Sequence, residues 1–272
     1  MNSEQSHKLS KERIESQIAS CSADMVPLIH VFEELDSTNQ WVLDHLSAGF
    51  EQSMLCVAES QIAGRGRAGR SWCSPSGGNV YMSFSHVAMM TRGNVSAISL
   101  VVGLAVVRVL SKKGVGGVSL KWPNDILIDG RKLAGILIES KARNSELVLV
   151  IGVGINVKVP LDFNISSETG WIDLSTKGVL LSDRNELISL LYIECQKMID
   201  EFSHSGFLVF RSEWMSHDYF AGKEVKIVDR EKIIHRGTEM GVDEEGCLLV
   251  RSGEEIKRVF SGDVSLRVNN ES

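Results

Sequence analysis

Cysteine is scarce in this sequence, and the cysteines present do not form a recognisable framework. The five cysteines among the 272 residues are odd in number, lie far apart and include no C-x-x-C pair. A disulfide framework and a structural zinc site are therefore not expected. The polar N-terminus has no apolar signal region, so we expect reduced thiols and a cytoplasmic location.

Long apolar runs and an excess of positive charge are missing as well. The most apolar stretch, Val95 to Leu110, contains Ser96, Ser99 and Arg108. It is shorter than the roughly 20 residues that cross a bilayer, so it predicts a buried helix and no membrane partner. The formal net charge is −6 and the pI is near 5.7. This balance argues against nucleic acid as a partner, because nucleic-acid binding needs a clustered basic surface.

Positive charge is nevertheless concentrated in one stretch, Gly64-Arg65-Gly66-Arg67-Ala68-Gly69-Arg70, here called the arginine loop. Glycine permits backbone conformations closed to other residues and lets a ligand come close. Arginine supplies a fixed fork of donors suited to phosphate or carboxylate. The loop therefore predicts a binding site for a small polyanion, with a solvated basic turn as the structural alternative.

The glycines of this loop also match the dinucleotide fingerprint G-x-G-x-x-G, but the context excludes that interpretation. The fingerprint must open a helix whose N-terminus receives a pyrophosphate. Here Pro75 and the pair Gly77-Gly78 follow within a few residues and would break a helix. No G-K-[ST] follows to make a Walker A loop. The anion is expected to bind arginine side chains and loop amides.

Apolar periodicity and turn signals predict a chain that contains both helices and strands. The dipeptide Asp129-Gly130 between two apolar runs predicts a β-hairpin. The pattern predicts helices at 9–18, from 38 to about 49, 95–110, 183–203 and 207–219, and strands at 26–35, 54–58, 79–84, 118–122, 126–128, 133–139 and 147–157. A turn is expected at Asn144-Ser145, and Asp183 with Glu186 is a candidate capping box.

Two features of this pattern combine structure with possible binding. Ser37, Thr38 and Asn39 stand where they would cap the second helix, and a helix N-terminus is equally a place to bind a polar ligand. Lys132 follows the hairpin turn, and Gly135 lies inside the next strand, where glycine weakens a sheet unless a group approaches closely. A ligand lying across the sheet is one explanation, and a solvated hairpin lysine is the other.

From about residue 221 the sequence changes to short β-rich runs separated by glycine turns. This texture predicts a small separate barrel. We therefore divide the chain into an N-terminal polar segment (1–25), a main domain (26–220) and a small C-terminal domain (221–272).

Four motifs occur together in order: G-R-G-R-A-G-R, K-W-P-N-D-I, R-K-L-A-G-I-L and G-V-G-I-N. Each is weak alone, but the ordered set, within a likeness running from about Leu28 to Arg267, resembles the bacterial biotin–protein ligases. The resemblance implies a mixed sheet with flanking helices, like the catalytic domain of class II aminoacyl-tRNA synthetases, followed by a small SH3-like barrel.

The resemblance also implies an activity and its substrates. Members join biotin to ATP, giving biotinyl-5′-adenylate and pyrophosphate, with Mg²⁺ sharing the charge. They then transfer biotin to one lysine of a biotin carboxyl carrier protein of a carboxylase. The resemblance does not identify protein ligands for Mg²⁺, and it leaves open whether the chain is a monomer or a homodimer.

Site residues follow from the resemblance position by position. Lys132 and Arg67 are the expected catalytic residues. Biotin binding is expected of Ser37, Thr38, Asn39, Gln61, Gly64, Arg65, Gly66, Arg67, Lys132 and Gly135. ATP binding is expected of Arg67, Arg70, Trp72, Lys121, Asn124, Asp125, Asn156 and Arg267.

Other functions remain as competing hypotheses. A lipoate–protein ligase shares the fold and the hairpin lysine, but usually carries an R-R-x-S-G-G-G loop in place of the arginine loop. A non-catalytic, DNA-binding biotin sensor would need a basic reading head. Many bacterial members carry an N-terminal helix-turn-helix domain, whereas about 25 residues precede the catalytic part here, so a repressor role is not expected.

Overall fold

The structure of the chain is a computed structural model that describes residues 8–46, 53–88, 95–143, 146–160, 163, 170–179, 183–229, 232–260 and 264–268. The elements in chain order are α1 (Lys11–Cys21), β1 (Leu28–Leu35), α2 (Thr38–His45), β2 (Met54–Gln61), β3 (Val80–Ala88), α3 (Val95–Lys112), β4 (Val118–Lys121), β5 (Asp125–Ile128), β6 (Arg131–Arg143), β7 (Glu146–Ile155), α4 (Arg184–Ser205), α5 (Leu208–Ser216), β8 (Glu224–Asp229), β9 (Lys232–Val242), β10 (Leu248–Ser252), β11 (Glu255–Val259) and β12 (Val264–Val268).

The first seven strands form one mixed sheet in the order β1-β2-β3-β7-β6-β5-β4. The pair β1–β2 is parallel, and the other neighbours are antiparallel. Strand β2 is buried on both faces, because its alternate residues enter different clusters: Leu55 and Val57 join the main core, whereas Met54 and Cys56 pack with Val42 of α2. The mixed α+β prediction is confirmed.

The predicted buried helix is α3, and the core grows around it. Its side chains pack with those of α4 against one face of the sheet. α2 lies on the opposite face, where it covers β2, β3 and β7. Among the described residues no helix is long and apolar enough to cross a membrane. One helix layer therefore covers one face, and the other face is left partly open beside α2.

The polar N-terminal segment contributes more to the core than its composition indicates. Ile14 and Ile18 of α1 are fully buried. The backbone N–H of Leu9 donates to Glu59 at 2.9 Å, and Glu59 also forms a buried ion pair with Arg184 at 2.8 Å. The start of the described chain is thereby joined to β2 and to α4.

Turn chemistry was a reliable guide to local structure. Asp129 and Gly130 have φ values of 51° and 73°, as the predicted hairpin requires. The side chain of Asp183 accepts a hydrogen bond from the backbone N–H of Asn185 and caps α4, whereas Glu186 pairs with Lys113, the residue directly after α3. The helix expected to reach Tyr219 ends at Ser216. The predictions around Gly49 and at Asn144-Ser145 lie outside the described residues.

The last five strands form a second sheet in the order β11-β10-β9-β8-β12. It packs against the first part of the chain through specific contacts. The indole N–H of Trp122 donates to the carbonyl of Gly246 at 3.2 Å, and Arg211 of α5 donates to the carbonyl of Val242 at 2.6 Å. The segment that joins the sheets, His217 to Tyr219, hydrogen-bonds along β4 and covers that edge strand.

Two carboxyl groups meet at this junction. Glu239 of β9 is fully buried beside Asp218. Burial, together with the nearby charge of Asp218, raises the pKa of Glu239 to about 8, and its carboxyl accepts a hydrogen bond from the N–H of Gly241. Since the folded state holds this proton more tightly than the unfolded state does, the carboxyl favours folding at low pH and opposes it as the pH rises.

We therefore expect Glu239→Gln to stabilise the protein in a pH-dependent way. The glutamine cannot ionise, whereas Glu239 ionises with a pKa of 4.5 in the unfolded chain and about 8 in the folded protein. The difference in melting temperature between variant and parent should therefore grow as the pH rises from 4.5 to about 8. Thermal unfolding at a series of pH values measures it, with Glu245→Gln at an exposed carboxylate as the control. A constant difference across this range would contradict the prediction.

Candidate active site

A cavity of about 480 Å³ opens on the face of the main sheet that α2 covers only in part. Its floor is a row of directly paired residues on four strands. Asp125 of β5 pairs with Gly135 of β6, Gly135 pairs with Gly154 of β7, and Gly154 pairs with Tyr81 of β3. Paired residues present their side chains to the same face. Two adjacent strands therefore present no side chain at the middle of this row.

Trp72 occupies the space above these glycines. A Cβ on Gly154 would lie 2.6 Å from the indole of Trp72, and one on Gly135 would lie 3.0 Å from it. Lys132 also approaches Gly135, where a Cβ would lie 3.3 Å from its Cε. The close approach predicted for Gly135 is thus made by an aromatic ring and a lysine. The indole Nε1 of Trp72 is buried without a hydrogen-bond partner among the described residues.

The next row of the floor carries a polar cluster at the start of α2. Here Ser83 of β3 pairs with Gly152 of β7, and a Cβ on Gly152 would lie 2.2 Å from Oδ1 of Asn39. The Ser83 hydroxyl lies 2.6 Å from this Oδ1 and 2.7 Å from Oγ1 of Thr38. Thr38 also donates its backbone N–H to Oε1 of Gln61 at 2.9 Å.

The capping role predicted for the Ser37-Thr38-Asn39 segment is confirmed, and the binding role stays a prediction. Ser37 is the N-cap of α2, since its hydroxyl accepts from the N–H of Gln40. All three side chains are also buried against the cavity. Capping therefore does not exclude binding, because the helix N-terminus that Ser37 caps faces the cavity.

The arginine loop is folded into a tight turn over the other side of the cavity. The N–H of Gly66 donates to the carbonyl of Arg70 at 2.6 Å, and the N–H of Trp72 donates to the carbonyl of Gly64 at 2.8 Å. Between them Ala68 takes a φ of 53°. Arg67 donates from Nη1 to Oδ1 of Asn124 at 2.9 Å, which joins the loop to the segment before β5.

Charge in the cavity is strongly unbalanced. Five of the described residues that line the cavity are cationic: Arg65, Arg67, Arg70, Lys121 and Lys132. Asp125 is the one acidic residue among the described lining residues. Lys132 Nζ lies 2.5 Å and Lys121 Nζ 3.7 Å from the Asp125 carboxylate. Burial alone would raise the pKa of Asp125, but the charges of Lys132 and Lys121 outweigh it and hold that pKa below its ordinary value. A cavity with this surplus is suited to anions.

The predicted site residues come together here with two exceptions. The cavity is lined by Ser37, Thr38, Asn39, Gln61, Arg65, Gly66, Arg67, Arg70, Trp72, Lys121, Asn124, Asp125, Lys132, Gly135 and Asn156. Gly64 is not part of the lining, but a Cβ there would lie 2.3 Å from the carbonyl oxygen of Trp72, so glycine is needed for the loop to fold. Arg267 lies on β12, paired with Lys226 of β8, and is not part of the lining.

Sequence reasoning missed several lining residues. Tyr81 and Ser83 alternate on β3, and that alternation could have placed both on one face. Trp171 pairs with Lys132 in an isolated bridge, and the carbonyl of Gly170 accepts from the N–H of Lys132 at 3.0 Å. One indication of this contact was present in the sequence: a tryptophan directly follows a glycine in a stretch that has no apolar periodicity.

A resident metal centre is not evident in the part of the chain that the structure describes. No group of three or more histidine, cysteine, aspartate or glutamate side chains is placed to hold an ion. The five cysteines are all free thiols.

Comparison with family models matches both parts of the chain. Residues 31–156 match the biotin/lipoate A/B protein ligase family, and residues 220–267 match the biotin protein ligase C-terminal domain. The first match covers the cavity floor and the arginine loop, and the second covers the C-terminal sheet.

Individual proteins give the same picture. The chain is 37% identical over 262 residues to the bifunctional ligase/repressor BirA of Escherichia coli strain K12, covering 95% of this chain and 78% of that protein. It is 30% identical to the biotin–[acetyl-CoA-carboxylase] ligase of Paracoccus denitrificans, covering 79% of this chain and 91% of that one. The biotin protein ligase of Aquifex aeolicus, solved with biotin and ATP, superposes with a TM-score of 0.76 at 30% identity, covering 89% of this chain and 99% of that chain.

The glycine at 154 offers a direct test of the cavity floor. We expect Gly154→Ala to displace the Trp72 indole, because its Cβ would fall 2.6 Å from the ring. Acrylamide quenching of tryptophan fluorescence, with Trp72→Phe variants used to isolate the Trp72 signal, measures the displacement. Gly116→Ala, where nothing lies within 4 Å of the added Cβ, is the matched control. Equal quenching in both alanine variants would show that Trp72 does not depend on this glycine.

Proposed function

Because the chain belongs to the biotin protein ligase family, we propose that this cavity forms biotinyl-5′-adenylate from biotin and ATP and then transfers biotin to a lysine of a carrier domain. The function of the chain is ATP-dependent ligation of biotin to protein. The observation that carries the residue assignments is the surplus of cations beside a polar helix N-terminus. Two anions, a carboxylate and a triphosphate, must meet in such a reaction.

The biotin end is assigned to the α2 side of the cavity. Ser37, Thr38, Asn39 and Gln61 provide buried donors and acceptors for the polar ring system, as the resemblance implies. The floor glycine Gly152 lets the Asn39 side chain lie against the sheet, where its amide can meet a bound polar ring. The lipoate alternative is weaker because lipoate carries no ureido group to satisfy such a polar cluster, and because the C-terminal match is to the biotin enzymes.

The nucleotide is assigned to the side formed by the arginine loop and the start of β5. Arg67 and Asn124 are hydrogen-bonded to each other there, with Arg70 and Lys121 nearby in the lining. Trp72 and Trp171 supply aromatic surface for a purine ring. Asn156 holds the wall in place by donating to the carbonyl of Ile172 at 3.3 Å. Arg267 remains a proposal from the resemblance.

The chemistry needs positioning and charge rather than a nucleophile of the enzyme. In the first step a biotin carboxylate oxygen attacks the α-phosphorus of ATP and pyrophosphate leaves. In the second step the carrier lysine amine attacks the acyl carbon, loses a proton, and AMP leaves. Lys132 and Arg67 are placed to neutralise charge that develops on the phosphoryl oxygens, which is usually the largest catalytic contribution. Holding the two anions in one cavity adds to the rate enhancement through proximity and orientation.

Mg²⁺ fits this arrangement as an ion carried chiefly by the nucleotide. It prefers oxygen ligands and commonly binds through substrate phosphates and one or two carboxylates. Asp125 is the carboxylate that the described lining offers, and its ionised form is favoured by Lys132 and Lys121. When bound, the ion would neutralise phosphate charge.

Four broader assignments are part of the same proposal. The acceptor of biotin is a biotin carboxyl carrier protein of a carboxylase. The chain acts in the cytoplasm, which agrees with its free thiols. The five-stranded C-terminal sheet closes as an SH3-like barrel, with the domain boundary near residue 220. A monomer and a homodimer both agree with the resemblance, and sedimentation with and without biotin decides between them.

Lys132 gives the sharpest test of the chemistry. We expect Lys132→Ala to slow adenylate formation about 10²–10³-fold, because one preorganised charge donor is lost. Pyrophosphate exchange dependent on biotin measures this step. Lys177→Ala is the matched control, since Lys177 belongs to an ion pair with Asp129 at the same hairpin but lies outside the cavity lining. Unchanged exchange in the Lys132 variant would remove it from the reaction.

Arg67 tests enclosure of the intermediate. We expect Arg67→Gly to make adenylate more slowly than the parent, because one cation is lost, and to release what it makes, because the link from the loop to Asn124 is lost. The freed anhydride reacts with any accessible amine, so serum albumin mixed with enzyme, biotin and ATP should become biotinylated on a blot. Arg67→Lys, which keeps the charge, is the control. If the glycine variant makes adenylate yet labels albumin no more than the parent does, the loop does not enclose the intermediate.

A further inference from the structure

One carboxylate beside the cavity, that of Glu139, has no part in the assignments above. It lies on β6 two positions beyond Leu137 and four beyond Gly135, so these three residues share the face that carries the cavity. Its side chain is 22% exposed. The carboxylate Oε1 accepts from Arg65 Nη2 at 2.6 Å, and Oε2 accepts from Asn39 Nδ2 at 3.1 Å.

We propose that Glu139 is a positioning residue that holds the arginine loop on the cavity through Arg65 and sets the orientation of the Asn39 amide. The proposal rests on the function assigned above, and it concerns biotin binding rather than the chemical step. A single carboxylate joins three elements that the chain order separates: β6, the first turn of α2 and the arginine loop.

The orientation of Asn39 follows from the chemistry of its neighbours. A carboxylate can only accept hydrogen bonds, so it must face the amide NH₂ and not the amide oxygen. That requirement turns Oδ1 of Asn39 toward the Ser83 hydroxyl and over Gly152, which has no side chain to obstruct it. With Glu139 removed, the acceptor left to this NH₂ among the described residues is the carbonyl of Leu137, at 3.5 Å, which is the limit of a hydrogen bond.

The position of Arg65 separates its role from those of its neighbours. Its guanidinium is held by two partners on the α2 side, Glu139 and the side-chain oxygen of Gln40. Arg67 instead reaches Asn124 on the opposite side of the cavity. The loop is thus fastened at two ends. Arg65 fixes the loop by pairing with protein, and Arg67 is the arginine directed toward the nucleotide side.

The test compares biotin binding with turnover. We expect Glu139→Ala to raise the Kd for biotin about tenfold, the scale for a lost hydrogen bond to a charged group, while kcat at saturating biotin changes less than about twofold. Glu139→Gln is isosteric but presents an NH₂ to one of two donors, so it should lie between parent and alanine variant. Calorimetric titration gives Kd, and carrier biotinylation gives kcat.

A double-mutant cycle and a matched ion pair make the test specific. The effects of Arg65→Ala and Glu139→Ala on the free energy of biotin binding should not add up in the double variant, because both substitutions remove the same ion pair. The control is Glu213→Ala, which breaks the Arg108–Glu213 pair, also 2.6 Å long and similarly exposed, between α3 and α5. It should leave the Kd for biotin unchanged.

Limited trypsin digestion of the protein without ligand tests the fastening independently of activity. Cleavage within the arginine loop should be at least about fivefold faster in Glu139→Ala and Glu139→Gln than in the parent, because the loop opens more often. An unchanged Kd and unchanged cleavage, additive single effects, or a fall in kcat at constant Kd would each overturn the proposal. A parent protein inert toward biotin and ATP would instead overturn the proposed function, and the digestion would still decide the role of Glu139.

Discussion

The cavity depends on the close approach of side chains to the backbone of the main sheet at positions where the sheet carries only glycine. Gly135, Gly152 and Gly154 lie on adjacent strands, and added Cβ atoms would fall 3.0 Å or less from Trp72 or Asn39. A strand interior normally gains stability from side chains, so these glycines weaken the sheet locally. The loss is offset by the surrounding core and by the contacts that the glycines allow. Sheet stability is therefore given up here for the close approach of Trp72 and Asn39 to the backbone.

Charge is the second constraint, and the fold places it unevenly. An acidic protein of formal net charge −6 gathers five cations around one cavity. Like charges repel, so the carboxylates of Asp125 and Glu139 moderate the cluster on two sides. Asp125 pairs with Lys132 and Lys121, and Glu139 pairs with Arg65 of the arginine loop. Bound anions would complete the neutralisation, which couples substrate binding to the order of the loop.

The C-terminal sheet is joined to the main sheet at the same end of the molecule as the start of β5. Trp122, whose indole donates to Gly246, directly precedes Pro123 and Asn124. Asn124 in turn accepts from Arg67 and donates to the carbonyl of Ile136 at 2.9 Å. Contacts between the two sheets therefore support a segment that lines the cavity. Glu239, which is buried beside the half-buried Asp218, also lies at this junction.

The sequence alone determined the local structure and most of the site. The D-G hairpin, the cap at Ser37 and the buried helix α3 follow from turn chemistry and apolar period, which act over a few residues. The ordered motifs contain the predicted lining residues from Arg65 to Asn156 other than Trp72, because each motif is contiguous, and the family resemblance supplied Ser37, Thr38, Asn39, Gln61 and Trp72. What tertiary structure alone decided are contacts between distant segments. The placement of β3 beside β7 puts Tyr81 and Ser83 on the floor. The meeting of Glu139 with Arg65 and Asn39 joins positions 74 and 100 residues apart. No local pattern encodes such contacts, because they depend on strand order and on which face each strand presents.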